Sequence, residues 1–166
     1  MDITPNSSIF ATQEHGHSRP FENINHLIGI KSEKGQLPYA GIIKPKEAWH
    51  LFSNGLAVLV DVRTKEELQF VGRVPGSIHV AWATGTSMTH NPRFVRELEA
   101  KLNKQQLILL LCRSGKRSAL AAQAATKAGF NHVFNIEFGF EGELDSSQHR
   151  RNLGGWCHEN LPWIQD

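Results

Sequence analysis

The chain has 166 residues, a mass of 18.6 kDa and a formal net charge of +2, a size that suits one domain with some additional chain. Because 40% of its residues are hydrophobic and 20% are charged, the composition is that of a globular protein, and the small net charge gives no ground to expect a nucleic-acid partner. No apolar run approaches the roughly 18 residues of a membrane span, so we expect no membrane partner. The first ten residues lack a signal-peptide pattern, and two cysteines are too few for a disulfide framework. We therefore expect a cytoplasmic protein.

The N-terminal segment, residues 1–38, is predicted to be an extension of the domain. Residues 1–20 are rich in Ser, Thr, Pro and His without sustained periodicity, which predicts a mobile arm. From Phe21 to Lys34 apolar residues recur at roughly helical spacing, which predicts a short helix. The domain itself is predicted to occupy residues 39–166.

From Tyr39 onward, short apolar runs alternate with helical patterns. Five runs are predicted to be strands: 41–43, 57–62, 77–80, 107–111 and 133–136. Helices are predicted between them, starting from the N-terminal signals Pro45, Thr64, Asn91 and Ser118. Strands that are separated by helices form parallel sheets covered on both faces. The predicted fold is therefore α/β, with a five-stranded, mostly parallel sheet and helices on both faces.

Positive charge is concentrated in one part of the chain. Residues 100–136 contain six Lys or Arg and no Asp or Glu, which leaves the remaining residues with a net charge of −4. Half of these cations, namely Arg113, Lys116 and Arg117, lie within five residues of Cys112. This asymmetry indicates a small anionic partner at one cysteine rather than a polyanion.

Cys112 follows the most apolar run of the chain and precedes a predicted helix. A cysteine there lies at the carboxyl end of the central strand, where ligands bind in open α/β sheets. The loop after it contains Gly115, so backbone N–H groups are able to turn inward, and the helix directs its positive N-terminus at the same point. Together with the three cations, these groups favour the thiolate at neutral pH. We therefore expect Cys112 to be a nucleophile that handles an anionic substrate.

Two other protein classes also bind anions with a loop that precedes a helix. The phosphate-binding loop of nucleotide hydrolases is excluded, because Gly115-Lys116 is followed by Arg117 and has no glycine five residues earlier. Cysteine-based phosphatases and arsenate reductases place an arginine after five intervening residues, but here that position is Ser118 and Arg117 comes one residue early. The phosphatase alternative stays open, with a loop that is one residue too short.

The run Cys112–Ser118 resembles the active-site segment of rhodanese domains, whose loop has six residues. Two other segments share the likeness. The first, Asp61-Val62-Arg63 with Glu67 and then Gly72–Ile78, is similar to the family's Asp-Val-Arg…Glu…Gly-His-Ile-Pro-Gly-Ala pattern, with Arg73 in place of the histidine. The second, Trp156 with Asn160-Leu161-Pro162, resembles its closing Trp-x-x-x-Gly-Leu-Pro. The resemblance covers about residues 41–162, in order.

This resemblance implies a thiosulfate sulfurtransferase. Cys112 would take the outer sulfur of thiosulfate, release sulfite and pass the persulfide sulfur to cyanide or to a thiol acceptor that the sequence does not identify. No metal or organic cofactor is expected. The implied substrate-binding residues are those of the loop: Arg113, Ser114, Gly115, Lys116, Arg117 and Ser118. The two arginines are favoured because a guanidinium engages oxyanions with paired hydrogen bonds. A sulfur-carrier or binding module without turnover is a further hypothesis.

Three residues near the same edge of the sheet are predicted to support the site. Asp61 and Arg63 lie at the end of the second predicted strand, and Trp82 follows the third, where it would form a wall of the pocket. For Arg63, an ion pair with Glu67 is favoured over contact with substrate. Cys157 has no neighbours that mark it as activated, so we expect it to be an incidental thiol rather than a resolving one.

Overall fold

The computed structural model describes residues 37–166, so the predicted N-terminal arm and its helix lie outside the described residues. The described part forms seven strands and four helices. The strands are β1 (Gly41–Ile43), β2 (Val58–Asp61), β3 (Ile78–His79), β4 (Ala83–Thr84), β5 (Thr89–His90), β6 (Leu107–Leu111) and β7 (His132–Ile136). The helices are α1 (Pro45–Ser53), α2 (Lys65–Val71), α3 (Phe94–Lys101) and α4 (Lys116–Lys127). None of these helices is long and apolar enough to cross a bilayer.

Five strands form one sheet in the order β1-β7-β6-β2-β3, and every neighbouring pair is parallel. This confirms the predicted α/β fold and places β6 at the centre, between β7 and β2. The other two strands, β4 and β5, form a small antiparallel hairpin that the sequence did not predict. Each of its strands has only two residues, too few to show an apolar alternation.

The sheet separates two apolar cores. Along β6, Leu109 belongs to one core and Ile108 to the other, because successive residues of a strand face opposite sides. On the first face, α1 and the C-terminal segment supply Leu51 and Trp156. On the second face, α3 supplies Leu98 and α4 supplies a row of alanines that allows it to pack closely. Helices therefore cover both faces, as predicted.

Two of the four helices, α1 and α2, begin where their N-terminal signals predict, and α3 and α4 begin elsewhere. Thr64 forms the predicted capping box: its hydroxyl accepts from the Glu67 N–H at 3.3 Å, and its own N–H donates to the Glu67 carboxylate at 2.9 Å. The helix predicted to start at Asn91 begins at Phe94 instead, because the Asn91 side chain accepts from the Arg93 N–H and stabilises a turn before the helix. Helix α4 begins two residues before the predicted start.

Candidate active site

Cys112 lies at the carboxyl end of the central strand, between β6 and α4, and only 1% of its surface is exposed. The chain turns from strand to helix at Gly115, whose φ of +94° lies in the left-handed region that glycine adopts most readily. This turn aims the Gly115 N–H at the Cys112 sulfur, with a donor-to-sulfur distance of 3.1 Å. The sulfur therefore meets a backbone donor at the start of a helix, where the helix dipole also favours negative charge.

A second donor reaches the same sulfur from the first turn of α4. The Ser118 hydroxyl oxygen is 3.2 Å from Cys112 Sγ and 2.6 Å from Oδ1 of Asn135, a residue of β7. The Asn135 amide nitrogen in turn donates to the Gly115 carbonyl at 3.0 Å. Sequence reasoning missed Asn135. The available signal was one amide among the apolar residues Val133, Phe134 and Ile136 at the end of a strand.

Arg117, one of the three predicted substrate-binding cations, is held by a carboxylate of α2. Its two terminal nitrogens donate to the two oxygens of Glu67, each at 2.7 Å, and one of them also contacts Sδ of Met88 at 3.5 Å. Burial acts to raise the pKa of Glu67, but the hydrogen bonds from Arg117 and from the Thr64 N–H hold that pKa below its usual value. The hydrogen bond to Glu67 likewise raises the pKa of Arg117.

The other two cations contact acidic residues that follow β7. Nε of Arg113 is 2.9 Å from one oxygen of Glu141, and Nε of Arg151 is 3.6 Å from the other oxygen. Lys116 is 3.5 Å from Glu143 and has a side chain that is 77% exposed. Glu141 is thus a buried carboxylate shared by two guanidinium groups, whereas the Lys116 contact lies in solvent.

The excess of positive charge that the sequence predicts around Cys112 is therefore largely offset. Each of the three loop cations meets a carboxylate from outside residues 100–136. The sequence count missed these carboxylates because Glu67 lies 50 residues from Arg117, and Glu141 lies 28 residues from Arg113. The parallel sheet brings them together, since α2 and the segment after β7 both begin at its carboxyl edge.

The backbone of the reactive loop is braced by the chain that follows β7. The Phe140 N–H donates to the Cys112 carbonyl at 2.7 Å, and the Glu141 N–H donates to the Arg113 carbonyl at 2.9 Å. This approach requires glycine at position 139, because a Cβ there would collide with the Cys112 carbonyl oxygen. The loop is therefore fixed at its first two residues by hydrogen bonds from a separate segment.

The predicted supporting residues Asp61 and Arg63 form a buried ion pair with each other, both fully inaccessible to solvent. The expected ion pair between Arg63 and Glu67 is wrong: the Arg63 guanidinium donates to Asp61 at 2.6 Å and to the Gly72 carbonyl at 2.8 Å, and it lies 4.1 Å from the centre of the Phe140 ring. These contacts make the pair part of the structural support for the edge of the sheet.

The two remaining candidates are the aromatic residue Trp82 and the second thiol, Cys157. Trp82 is half-buried and packs edge-on against His90 at 4.5 Å and Phe94 at 5.1 Å. Cys157 is half-buried, and that burial raises the pKa of its thiol, so it lacks the features of an activated cysteine. Within residues 37–166, no three His, Cys, Asp or Glu side chains are grouped as metal ligands.

Comparison with known proteins gives one consistent family. The profile of the rhodanese-like domain matches residues 44–143. The uncharacterized protein RC0915 of Rickettsia conorii is 39% identical over 119 residues, which cover 68% of this chain and 87% of that protein. The crystal structure of Rv0390 from M. tuberculosis is 43% identical with a TM-score of 0.70, over 77% of this chain and 99% of that one.

Two more distant solved structures have the same fold. The polysulfide-sulfur transferase homodimer from Wolinella succinogenes is 20% identical with a TM-score of 0.51, over 88% of this chain and 90% of that chain. RPA3614 from Rhodopseudomonas palustris, described as a possible tyrosine phosphatase, is 21% identical with a TM-score of 0.50, over 97% and 99% of the two chains. At these identities the likeness extends to the fold alone.

Proposed function

We propose that this chain, which belongs to the rhodanese-like domain family, is a sulfurtransferase that carries sulfane sulfur on Cys112, with thiosulfate as donor and a thiol or cyanide as acceptor. One observation carries the proposal: the Cys112 sulfur receives two donors, the Gly115 N–H at 3.1 Å and the Ser118 hydroxyl at 3.2 Å, at the N-terminus of a helix. Donors in this arrangement stabilise negative charge on the Cys112 sulfur, which carries that charge before the first transfer and again after the second.

The first half-reaction is a displacement at sulfur. The Cys112 thiolate attacks the outer sulfur of thiosulfate, a bond forms between the two sulfur atoms, and the bond from the outer sulfur to the sulfonate breaks. Sulfite leaves with the electron pair of that bond. Cys112 is left as a persulfide whose terminal sulfur carries the negative charge.

Two loop cations are available to hold the sulfonate of the donor. The Lys116 side chain is 77% exposed, so its contact with Glu143 can be exchanged for a contact with a bound anion at small cost. The Arg113 side chain is 44% exposed, and Glu141 keeps its contact with Arg151 when Arg113 turns to the anion. Arg117 is different, because both of its terminal nitrogens are engaged by Glu67 in a mostly buried pair. We therefore assign donor binding to Arg113 and Lys116, and to Arg117 the role of fixing α4 against α2.

The second half-reaction returns the enzyme to its starting state. An acceptor thiolate attacks the terminal sulfur of the persulfide, the sulfur–sulfur bond to Cys112 breaks, and Cys112 leaves as a thiolate. Cyanide as acceptor gives thiocyanate in the same way. The Gly115 and Ser118 donors are already in place to receive the charge that returns to Cys112 Sγ.

The arrangement of Arg117 argues against a cysteine phosphatase. Such an enzyme needs its arginine free to bind the oxygens of a phosphoryl group, whereas here Glu67 accepts from both terminal nitrogens of Arg117. The loop is also one residue shorter than that design requires. Both features favour sulfur transfer.

Mass spectrometry after incubation with thiosulfate tests the proposal. We expect one added sulfur atom on Cys112, its removal by cyanide with formation of thiocyanate, and complete loss of both in Cys112→Ser. Cys157→Ser is the matched control and should keep the full activity. Added sulfur without turnover would point to a carrier, while hydrolysis of a phosphomonoester by a chain that gains no sulfur would overturn the proposal.

A further inference from the structure

We infer that Asn135 is a positioning residue for the nucleophile: from the end of β7 it holds both hydrogen-bond donors that contact the Cys112 sulfur. It acts through Gly115 and Ser118, and all four residues are buried. The inference rests on the proposed function, because it concerns how Cys112 reacts as a nucleophile. Inside a buried site the placement of each donor matters more than in water, since solvent does not replace a donor that turns away.

The first connection runs through the backbone at Gly115. The Gly115 carbonyl accepts from the Asn135 amide at 3.0 Å and from the Ala119 N–H at 3.2 Å. These two bonds fix the peptide group that follows a glycine in the left-handed region, which otherwise has wide rotational freedom. With that peptide group fixed, the N–H on the other side of the glycine stays aimed at Sγ, 3.1 Å away.

The second connection runs through the Ser118 side chain. A serine in the first turn of a helix has a competing partner, the carbonyl four residues earlier, which here belongs to Ser114. Asn135 Oδ1, 2.6 Å from the Ser118 hydroxyl oxygen, selects the side-chain rotamer that keeps this oxygen 3.2 Å from Cys112 Sγ. Without the asparagine oxygen, only the contact with Sγ favours that rotamer over the one that bonds the helix backbone.

The hydroxyl proton of Ser118 explains why the partner must be an oxygen acceptor. Ser118 has one proton and two acceptors in reach, Sγ and Asn135 Oδ1. When the sulfur is a thiolate, the O–H donates to the charged atom. When the sulfur is neutral, as a thiol or as the inner sulfur of a persulfide, the O–H donates to Asn135. The hydroxyl therefore turns as charge enters and leaves Sγ, with no proton transferred.

A double-mutant cycle on a chain with a single thiol tests the inference. In the Cys157→Ser background, Asn135→Leu and Ser118→Ala should each slow alkylation of Cys112 by iodoacetamide by about tenfold, the effect of losing one hydrogen bond to a charged atom. The maximal rate of persulfide formation from thiosulfate should fall by the same factor while its KM stays within about twofold. The double variant should be slower than Asn135→Leu by less than about threefold, because the two residues act as one unit.

Asn91→Leu serves as the matched control. Asn91 is a second buried asparagine, whose amide donates to the Ala81 carbonyl at 2.9 Å, so its loss removes a comparable buried hydrogen bond. We expect this variant to lose stability but to keep the alkylation rate of Cys112. Asn135→Ala is tested beside Asn135→Leu, with the same expectation, so that a folding defect in the leucine variant does not end the test.

Three outcomes would overturn the inference. The first is an unchanged alkylation rate in both Asn135 variants, and the second is a double variant whose loss of rate equals the product of the two single losses. The third is a raised KM for thiosulfate with an unchanged maximal rate. The last would mean that Asn135 shapes the donor site rather than the nucleophile. Failure of the unsubstituted chain to gain sulfur from thiosulfate is a separate result that overturns the proposed function. The alkylation series does not depend on thiosulfate and still decides the role of Asn135.

Discussion

Replacement of Glu67 by glutamine removes the negative partner of Arg117 and leaves the start of α2 intact, since glutamine also completes a capping box. The lost interaction consists of two hydrogen bonds of 2.7 Å between side chains that are 12% and 19% exposed. Glutamine retains one neutral acceptor for Arg117, and the guanidinium keeps some access to water. We therefore expect the free energy of unfolding to fall by about 2 kcal/mol, which lowers Tm by roughly 6–10 °C for a domain of this size.

The pH dependence of stability tests whether the Glu67–Arg117 ion pair is the source of this free energy. Because the folded protein lowers the pKa of Glu67 below its ordinary value of about 4.5, the stabilisation is fully present above that pH and is lost as the pH falls through the folded-state pKa. Urea unfolding of the unsubstituted protein and of Glu67→Gln, measured from pH 7 downward, should therefore give free energies of unfolding whose difference narrows below about pH 4.5. Glu159→Gln, which breaks the more exposed contact with Lys46, should leave the free energy of unfolding nearly unchanged, because solvent screens such a pair. A Glu67→Gln difference that stays constant or widens in acid refutes the assignment of the stabilisation to this ion pair.

Three other substitutions test separate parts of the structure. Asp61→Asn leaves its fully buried arginine partner without a counter-charge, and urea unfolding should show a loss of about 3–5 kcal/mol. Gly139→Ala places a Cβ against the Cys112 carbonyl and should cost at least about 2 kcal/mol and slow alkylation, whereas Gly55→Ala, which has open space around it, should cost about 1 kcal/mol. Cys157→Ser should leave the rate of alkylation at neutral pH unchanged, because burial raises the pKa of that thiol; a large drop would show that Cys157 is the reactive cysteine.

The strands and the position of the nucleophile could be predicted from the sequence because their signals are local. A run of five apolar residues, Leu107–Leu111, followed by a cysteine and a glycine-containing turn, specifies a buried strand and a helix start within a dozen positions. The Thr64 capping box is likewise contained in four residues. Such patterns depend on backbone periodicity and capping, which neighbouring residues determine.

The partners of the reactive loop could not be predicted, because they depend on the order of the strands. Asn135 reaches Gly115 and Ser118 because β7 pairs beside β6, and no local pattern specifies that pairing. Glu67 and Glu141 are distant in sequence from the arginines that they neutralise. An estimate of charge from sequence neighbours alone therefore overstated the positive field around the cysteine.

The bracing of the reactive loop by residues 139–141 determines how much chain a working unit needs. A chain shortened to residue 143, where the family profile ends, would keep Cys112 and its two hydrogen-bond donors. It would lose Trp156, which is completely buried in the core between the sheet and α1. It would also lose the Trp156 N–H that donates to the Gly139 carbonyl at 2.8 Å, and the bridge in which Arg73 and Ile164 exchange backbone hydrogen bonds of 2.8 and 2.9 Å. The smallest fragment that retains the geometry of the site therefore extends to at least Ile164, about twenty residues beyond the end of the family profile.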